Sequence, residues 1–186
     1  MMINRAHSLW LLPEPGALTI LRRAIRELSE KLGGPLFTPH VTLLSRLNGS
    51  PNTLAGLTER LAGEISPFEL TVIGPEYSAS YSRALVLQLA NTEPLDELIR
   101  RAKDMFDGQP REPFDIHLSL AYGRIDGDQA RAALSAVLPE IPARFRAGAI
   151  ELVSASSETP VDSWRSLCEF PLRGTRPQHA PPTESA

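Results

Sequence analysis

The sequence predicts an α+β fold made of two similar halves, and three observations predict it. Short apolar runs of strand length alternate with longer stretches whose apolar residues recur at helical spacing. The order strand, helix, strand, helix, strand then occurs twice along the 186 residues. Finally, the middle strand of each half carries one local pattern: Phe37-Thr38-Pro39-His40-Val41-Thr42-Leu43 and Phe114-Asp115-Ile116-His117-Leu118-Ser119-Leu120. Together they imply a duplication: two α+β lobes related by an approximate two-fold axis, with the histidine strands facing across the groove between them.

In the first half, Ser8 to Leu12 reads as a buried strand broken by Pro13-Glu14-Pro15. Leu18, Leu21, Ile25, Leu28 and Leu32 follow at helical spacing, and Gly33-Gly34 stops that helix. The first histidine strand runs from about Val41 to Leu44. After the turn Asn48-Gly49-Ser50-Pro51, a helix carries Leu54, Leu57, Leu61 and Ile65, and Pro67 ends it. Phe68 to Ile73 reads as a strand closed by Gly74-Pro75.

The second half repeats the order. Ala84 to Leu89 alternates as a strand, and a helix from about Pro94 carries Leu95, Leu98, Ile99, Ala102 and Phe106. Gly108 to Pro113 is a loop, and the second histidine strand spans Ile116 to Tyr122. Asp126-Gly127-Asp128 opens a helix, Phe145 to Val153 is the matching strand, and Trp164 to Leu172 one more. Residues 1–174 thus read as one bilobal domain with motif segments around 37–44 and 114–122. Residues 175–186 hold three prolines and almost no apolar mass, and are expected to be a disordered tail.

Composition narrows the function. Hydrophobic content of 42% and charged content of 22% describe an ordinary soluble domain. A net charge of −3 gives no global positive field for a nucleic-acid duplex. Cys168, the single cysteine, excludes an internal disulfide and reads as a small buried hydrophobe. The apolar stretch Leu9 to Leu12 is too short for a signal or a membrane span, so a cytoplasmic location without a membrane partner is expected.

The repeated pattern carries the chemistry. Positions i and i+2 of a strand share a face, so each segment offers an imidazole beside a hydroxyl. An imidazole titrates near neutrality, so one histidine can accept a proton while the other donates one. That division suits the opening of a cyclic phosphodiester. The hydroxyls of Thr42 and Ser119 can donate to the non-bridging oxygens, where charge builds. A single His-x-Thr would be a structural strand histidine more often than a catalyst; two in equivalent places of a repeat are not chance. Two histidines alone make a poor metal site, since no His-x-x-x-His, cysteine pair or carboxylate cluster accompanies them. Asp115 shares a face with His117 and reads as an orienting acceptor or a solvated residue before a third ligand. Arg46, Arg83 and Arg124, near strand ends, offer local positive charge. His7 and His179 have no hydroxyl partner in a motif strand and are given no role.

The pair His40-Val41-Thr42 and His117-Leu118-Ser119, 77 positions apart, resembles the signature of the two-histidine (2H) phosphoesterases. With Ser8-Leu9-Trp10-Leu11-Leu12-Pro13 and His117-Leu118-Ser119-Leu120-Ala121-Tyr122-Gly123, the chain is similar to their plant- and yeast-type cyclic phosphodiesterases over about residues 7 to 172. The resemblance implies a bilobal fold with two antiparallel sheets facing a central cleft, helices outside, and catalysis without metal or other cofactor. It implies opening of nucleoside 2′,3′-cyclic phosphates to 2′-phosphates, or of ADP-ribose 1″,2″-cyclic phosphate to the 1″-phosphate. His40 and His117 would be the catalytic pair, with His117 as base and His40 as acid, an order the pseudo-symmetry leaves open. Thr42 and Ser119 would hold the phosphate. Trp10 and Tyr122 match aromatic positions near substrate, although core packing explains either ring as well. Tyr122, five residues after His117, needs a strand end or a bulge to reach the cleft. The chain departs from the pattern at Ile116, where a proline often stands, and in lacking the extra cysteines of some plant relatives.

Two other functions stay open at this level. One is action on cyclic phosphate at RNA ends or joining of 2′,5′ linkages, for which a longer basic track would be expected. The other is a nucleotide-binding module without turnover, whose mark would be loss of a motif residue. All four are present. The expected partner is a small cyclic nucleotide or ADP-ribose cyclic phosphate, with RNA ends as the alternative, and the chain is expected to act as a monomer.

Overall fold

The computed structural model describes residues 7–107, 116–156 and 159–174. Its elements, in chain order, are β1 (His7–Pro13), α1 (Pro15–Leu32), β2 (Val41–Leu47), α2 (Pro51–Glu64), β3 (Glu69–Tyr77), β4 (Leu85–Leu89), α3 (Glu93–Met105), β5 (His117–Ala121), α4 (Gly127–Val137), β6 (Arg144–Ser154) and β7 (Arg165–Pro171). Every strand and helix expected from the sequence is present, and the order β-α-β-α-β occurs twice before β7. The expected loop at Gly108 to Pro113, Asp115 and the tail from Thr175 lie outside the described residues.

Local chemistry explains the boundaries. Proline stands at the start of α1 and α2, where its missing N–H costs nothing. The Ser50 hydroxyl accepts from the Thr53 N–H at the start of α2, and Asp126 accepts from the N–H groups of Asp128 and Gln129 at the start of α4. α1 buries Leu21, Ala24, Ile25 and Leu28 along one stripe and ends at Gly33, whose φ is +74°. One strand end differs from expectation. β3 does not close at Gly74-Pro75; it shifts register between Val72 and Gly74 and continues to Tyr77 beside β4. Pro75 is tolerated because β3 pairs with β6 only at residues 69–71, so the proline lies beyond that second neighbour.

The pairing obeys the duplication. β1 pairs with β2 as β4 pairs with β5, and β3 pairs with β4 as β6 pairs with β1, all antiparallel. Each half therefore lends its third strand to the other half's sheet, as an approximate two-fold requires. The remaining contacts join equivalent strands: β2 to β5 at Val41↔Leu118, and β3 to β6. The two expected sheets are thus continuous, with β7 added along β6. The histidine strands sit side by side at the junction and do not face each other across open space.

β1 is buried on both faces, which explains its unbroken apolar run. Leu9 and Leu11 enter the main core with Ile150 and Leu152 of β6. Trp10 and Leu12 pack on the other face with Ala149, Val153 and Ala155, covered by Trp164. No described helix is long and apolar enough to cross a membrane.

Candidate active site

The pairing of β2 with β5 builds the site. Val41 lies opposite Leu118, and both are buried in the main core. Residues directly opposite on antiparallel strands share a face, and neighbours alternate. Carried one residue either way, this register sets His40 opposite Ser119 and Thr42 opposite His117, all four on the face away from the core. Each histidine thus has a hydroxyl two residues along its own strand and another across the strand pair. All four line one cleft with a volume of about 140 Å³.

His40 is buried, and its Nδ1 lies 2.6 Å from the carbonyl oxygen of Thr38. Pro39 between them biases Thr38 toward an extended backbone. A carbonyl only accepts, so Nδ1 carries the proton and donates, and Nε2 keeps the lone pair. Burial pushes the imidazole down to about 4; the Thr38 carbonyl opposes this, and neighbouring His117 adds to it. In the free protein near neutrality His40 is a neutral ring with an open acceptor. A ring in that state can take a proton at Nε2, and His117 lines the same cleft. His117 is half-buried. The Ser119 hydroxyl donates to the Ser82 carbonyl at 3.5 Å, a long bond that a phosphate oxygen can displace.

Trp10 and Tyr122 also line the cleft, so all six residues singled out in the sequence converge there. One face of Trp10 is stacked against His40 and its edge meets Trp164. Tyr122 reaches the cleft because β5 ends at Ala121, the strand end its position required. Its ring stacks on Phe37 at 4.2 Å and lies 6.4 Å from that of Tyr81, a half-exposed residue at the cleft rim.

Several lining residues were not legible as such. Trp164, read only as the start of the last strand, stands edge-on to Trp10, His40 and Tyr122 at 5.4, 6.3 and 5.9 Å. Its indole N–H donates to the Thr159 hydroxyl at 3.2 Å. Ser8, Ser45, Ser82 and Thr159 add hydroxyls to the walls. Of the three arginines considered, Arg46 lines the cleft, with φ of +56°, the one positive value at a described non-glycine residue. Arg83 pairs with Glu76 at 3.4 Å, and Arg124 is exposed. His7 is buried in the sheet between Leu47 and Ser154. Cys168 is half-buried, and burial raises its thiol pKa, which suits packing and not nucleophilic chemistry. Among the described residues, no group of three His, Cys, Asp or Glu is placed to hold a metal ion.

The family model for the 2′-5′ RNA ligase superfamily matches residues 21–159. The fold is similar to TT0787 of Thermus thermophilus, at 18% identity and TM-score 0.59, covering 92% of this chain and 100% of that one. It is also similar to E. coli LigT in apo form, at 17% identity and TM-score 0.56, covering 90% and 96%. LigT complexed with 3′-AMP matches at 17% identity and TM-score 0.53, covering 90% and 97%. No curated protein matches the chain.

Proposed function

This chain belongs to the 2′-5′ RNA ligase superfamily, and we propose that within it the protein opens small cyclic phosphodiesters by two-histidine acid–base catalysis. The observation that carries this reading is the square of His40, Thr42, His117 and Ser119 around one strand junction, facing one cleft. It supplies a proton acceptor, a proton donor and two hydroxyl donors to one cleft.

The Nε2 of His40 takes a proton from a water as its oxygen attacks the phosphorus. The bond from phosphorus to the ribose 3′-oxygen breaks, and His117 protonates that oxygen. Thr42 and Ser119 donate to the non-bridging oxygens as charge builds on them. A nucleoside 2′,3′-cyclic phosphate yields the 2′-phosphate; ADP-ribose 1″,2″-cyclic phosphate yields the 1″-phosphate. His40 then holds an extra proton and His117 lacks one, and exchange with solvent restores both. The half-exposed Tyr81 at the cleft rim offers a ring face on which a base stacks, beside Tyr122, which is buried against Phe37. Trp10, covered by His40 on one face, acts chiefly by placing that imidazole.

The family's name favours a second reading, activity on RNA ends. Among the described arginines and lysines, however, Arg46 alone lines the cleft, a short track for a polyanion. The deciding experiment offers four 2′,3′-cyclic nucleotides, ADP-ribose cyclic phosphate and a cyclic-ended oligoribonucleotide with EDTA present, and identifies each product. We expect the small substrates to be opened and both His40→Ala and His117→Ala to lose that turnover. Full turnover in both variants would sink the proposal, and faster turnover of the oligonucleotide would favour the RNA-end reading.

A further inference from the structure

A second pocket of about 190 Å³ adjoins the cleft and shares Trp10, Val161 and Trp164 as walls. Glu151 lines it from β6, opposite Trp10 of β1, on a face otherwise occupied by Ala149 and Val153. Glu151 is only 7% exposed, and its Oε2 is buried with no hydrogen-bond partner. A buried carboxylate oxygen without a donor is costly, so a sheet does not keep one beside an indole without cause. Burial raises this carboxyl above its ordinary value; the Ser166 hydroxyl opposes that, Glu169 adds to it, and Arg22 opposes it. What its Oε2 lacks is a hydrogen-bond donor.

The neighbourhood indicates who brings it. Trp10 lies between His40, stacked on one side, and Glu151, its cross-strand partner, so the carboxyl lies on the order of 10 Å from the catalytic imidazole. That is the reach of a nucleotide from phosphate to base edge. We propose that this pocket receives the Watson–Crick edge of a guanine, with Glu151 accepting from its N1–H and N2–H groups. The inference rests on reading the cleft as a nucleotide site. Guanine is the common base with two adjacent N–H donors on that edge, which a carboxylate accepts side by side. Thr38, lining the same pocket, carries a hydroxyl that can donate to the O6 acceptor beside them. Adenine, cytosine and uracil each turn at least one acceptor toward the carboxylate, and like partners repel.

The test separates binding from turnover. Wild-type protein is titrated with the 2′-monophosphates of guanosine, adenosine, cytidine and uridine, following the fluorescence of Trp10 and Trp164. Opening rates of the four 2′,3′-cyclic nucleotides are measured in parallel. We expect guanosine to be bound about tenfold more tightly than the others, and Glu151→Gln and Glu151→Leu each to abolish that advantage. Equal affinity for all four bases in the wild type, or a preference kept by both variants, overturns the inference. The wild-type series decides alone should neither variant fold. If guanosine is preferred but no cyclic phosphate is opened, the pocket stands and the proposed activity fails. If all four are opened and bound alike, the activity stands and the pocket assignment fails.

Discussion

Trp10 lies flat on His40, with ring centroids 3.6 Å apart and planes 10° from parallel. An indole face attracts a cation by about 0.5–2 kcal/mol, which alone would raise the imidazole pKa. Burial of the ring lowers the value to about 4, with His117 adding to that shift and the Thr38 carbonyl opposing it. Replacing Trp10 with Ala should let water reach His40 and move its pKa back toward 6.5, the ordinary value. Titration of the imidazole by NMR reads this directly, and an unmoved value would show that other walls keep the ring dry. The truncation should also cost about 3–5 kcal/mol of stability, as removal of a large buried aromatic does.

The low pKa of His40 has a consequence for stability with a definite sign. Above 6.5 the ring is neutral in both folded and unfolded chains, and its contribution is fully present. As pH falls from 6.5 toward 4, the unfolded chain binds a proton that the folded one does not, so stability is lost. The loss attributable to His40 should reach about 3 kcal/mol. His7, also lowered by burial, adds in the same direction. Urea unfolding at pH 7.5 and pH 4.5 measures the slope, and His40→Asn should flatten it. A wild-type slope unchanged in that variant would assign the pH dependence elsewhere.

For the proposed reaction, His40→Ala and His117→Ala should each lower the rate constant by about 10²–10⁴. Because both residues serve one concerted step, the double variant should lose little more than either single one. Additive losses in the double variant would point to independent roles.

The two hydroxyls should matter in the transition state more than in binding. Thr42→Val and Ser119→Ala should each cost about 10²–10³ in kcat with KM nearly unchanged. A rise in KM at constant kcat would instead make them binding groups only.

A structural substitution far from the acid and base should also reach the site. Gly34 has φ of +106°, and a Cβ there would lie 2.5 Å from the backbone oxygen of Tyr122. Gly34→Ala should therefore push the Tyr122 backbone outward, destabilise the protein by about 1–3 kcal/mol and weaken base stacking. Thermal unfolding and nucleotide titration check both effects; a variant with unaltered Tm would mean that the segment moves freely.

Much of this molecule could be read from residue order. Periodicity placed each helix and strand, because the buried stripe of α1 and the double-sided burial of β1 leave local signatures. The motif residues were legible because a strand alternates faces: His40 with Thr42, and His117 with Ser119, had to point one way. The reading failed where tertiary pairing overrode a local signal. Gly74-Pro75 reads as a strand end, yet β3 passes through it because a single neighbour there leaves the proline unopposed.

By itself, the sequence determined the repeated β-α-β-α-β order, the four motif residues and the need for Tyr122 to stand at a strand end. These follow from interactions between residues close along the chain, which spacing records. Only the tertiary structure decided that β2 and β5 meet at Val41↔Leu118, which turns two separate pairs into one square. It alone brought Trp164 and Arg46 to the cleft, laid Trp10 on His40 and placed Glu151 behind that indole. It also set the low pKa of His40, because desolvation depends on what packs around a ring from distant parts of the chain. No local pattern encodes that burial.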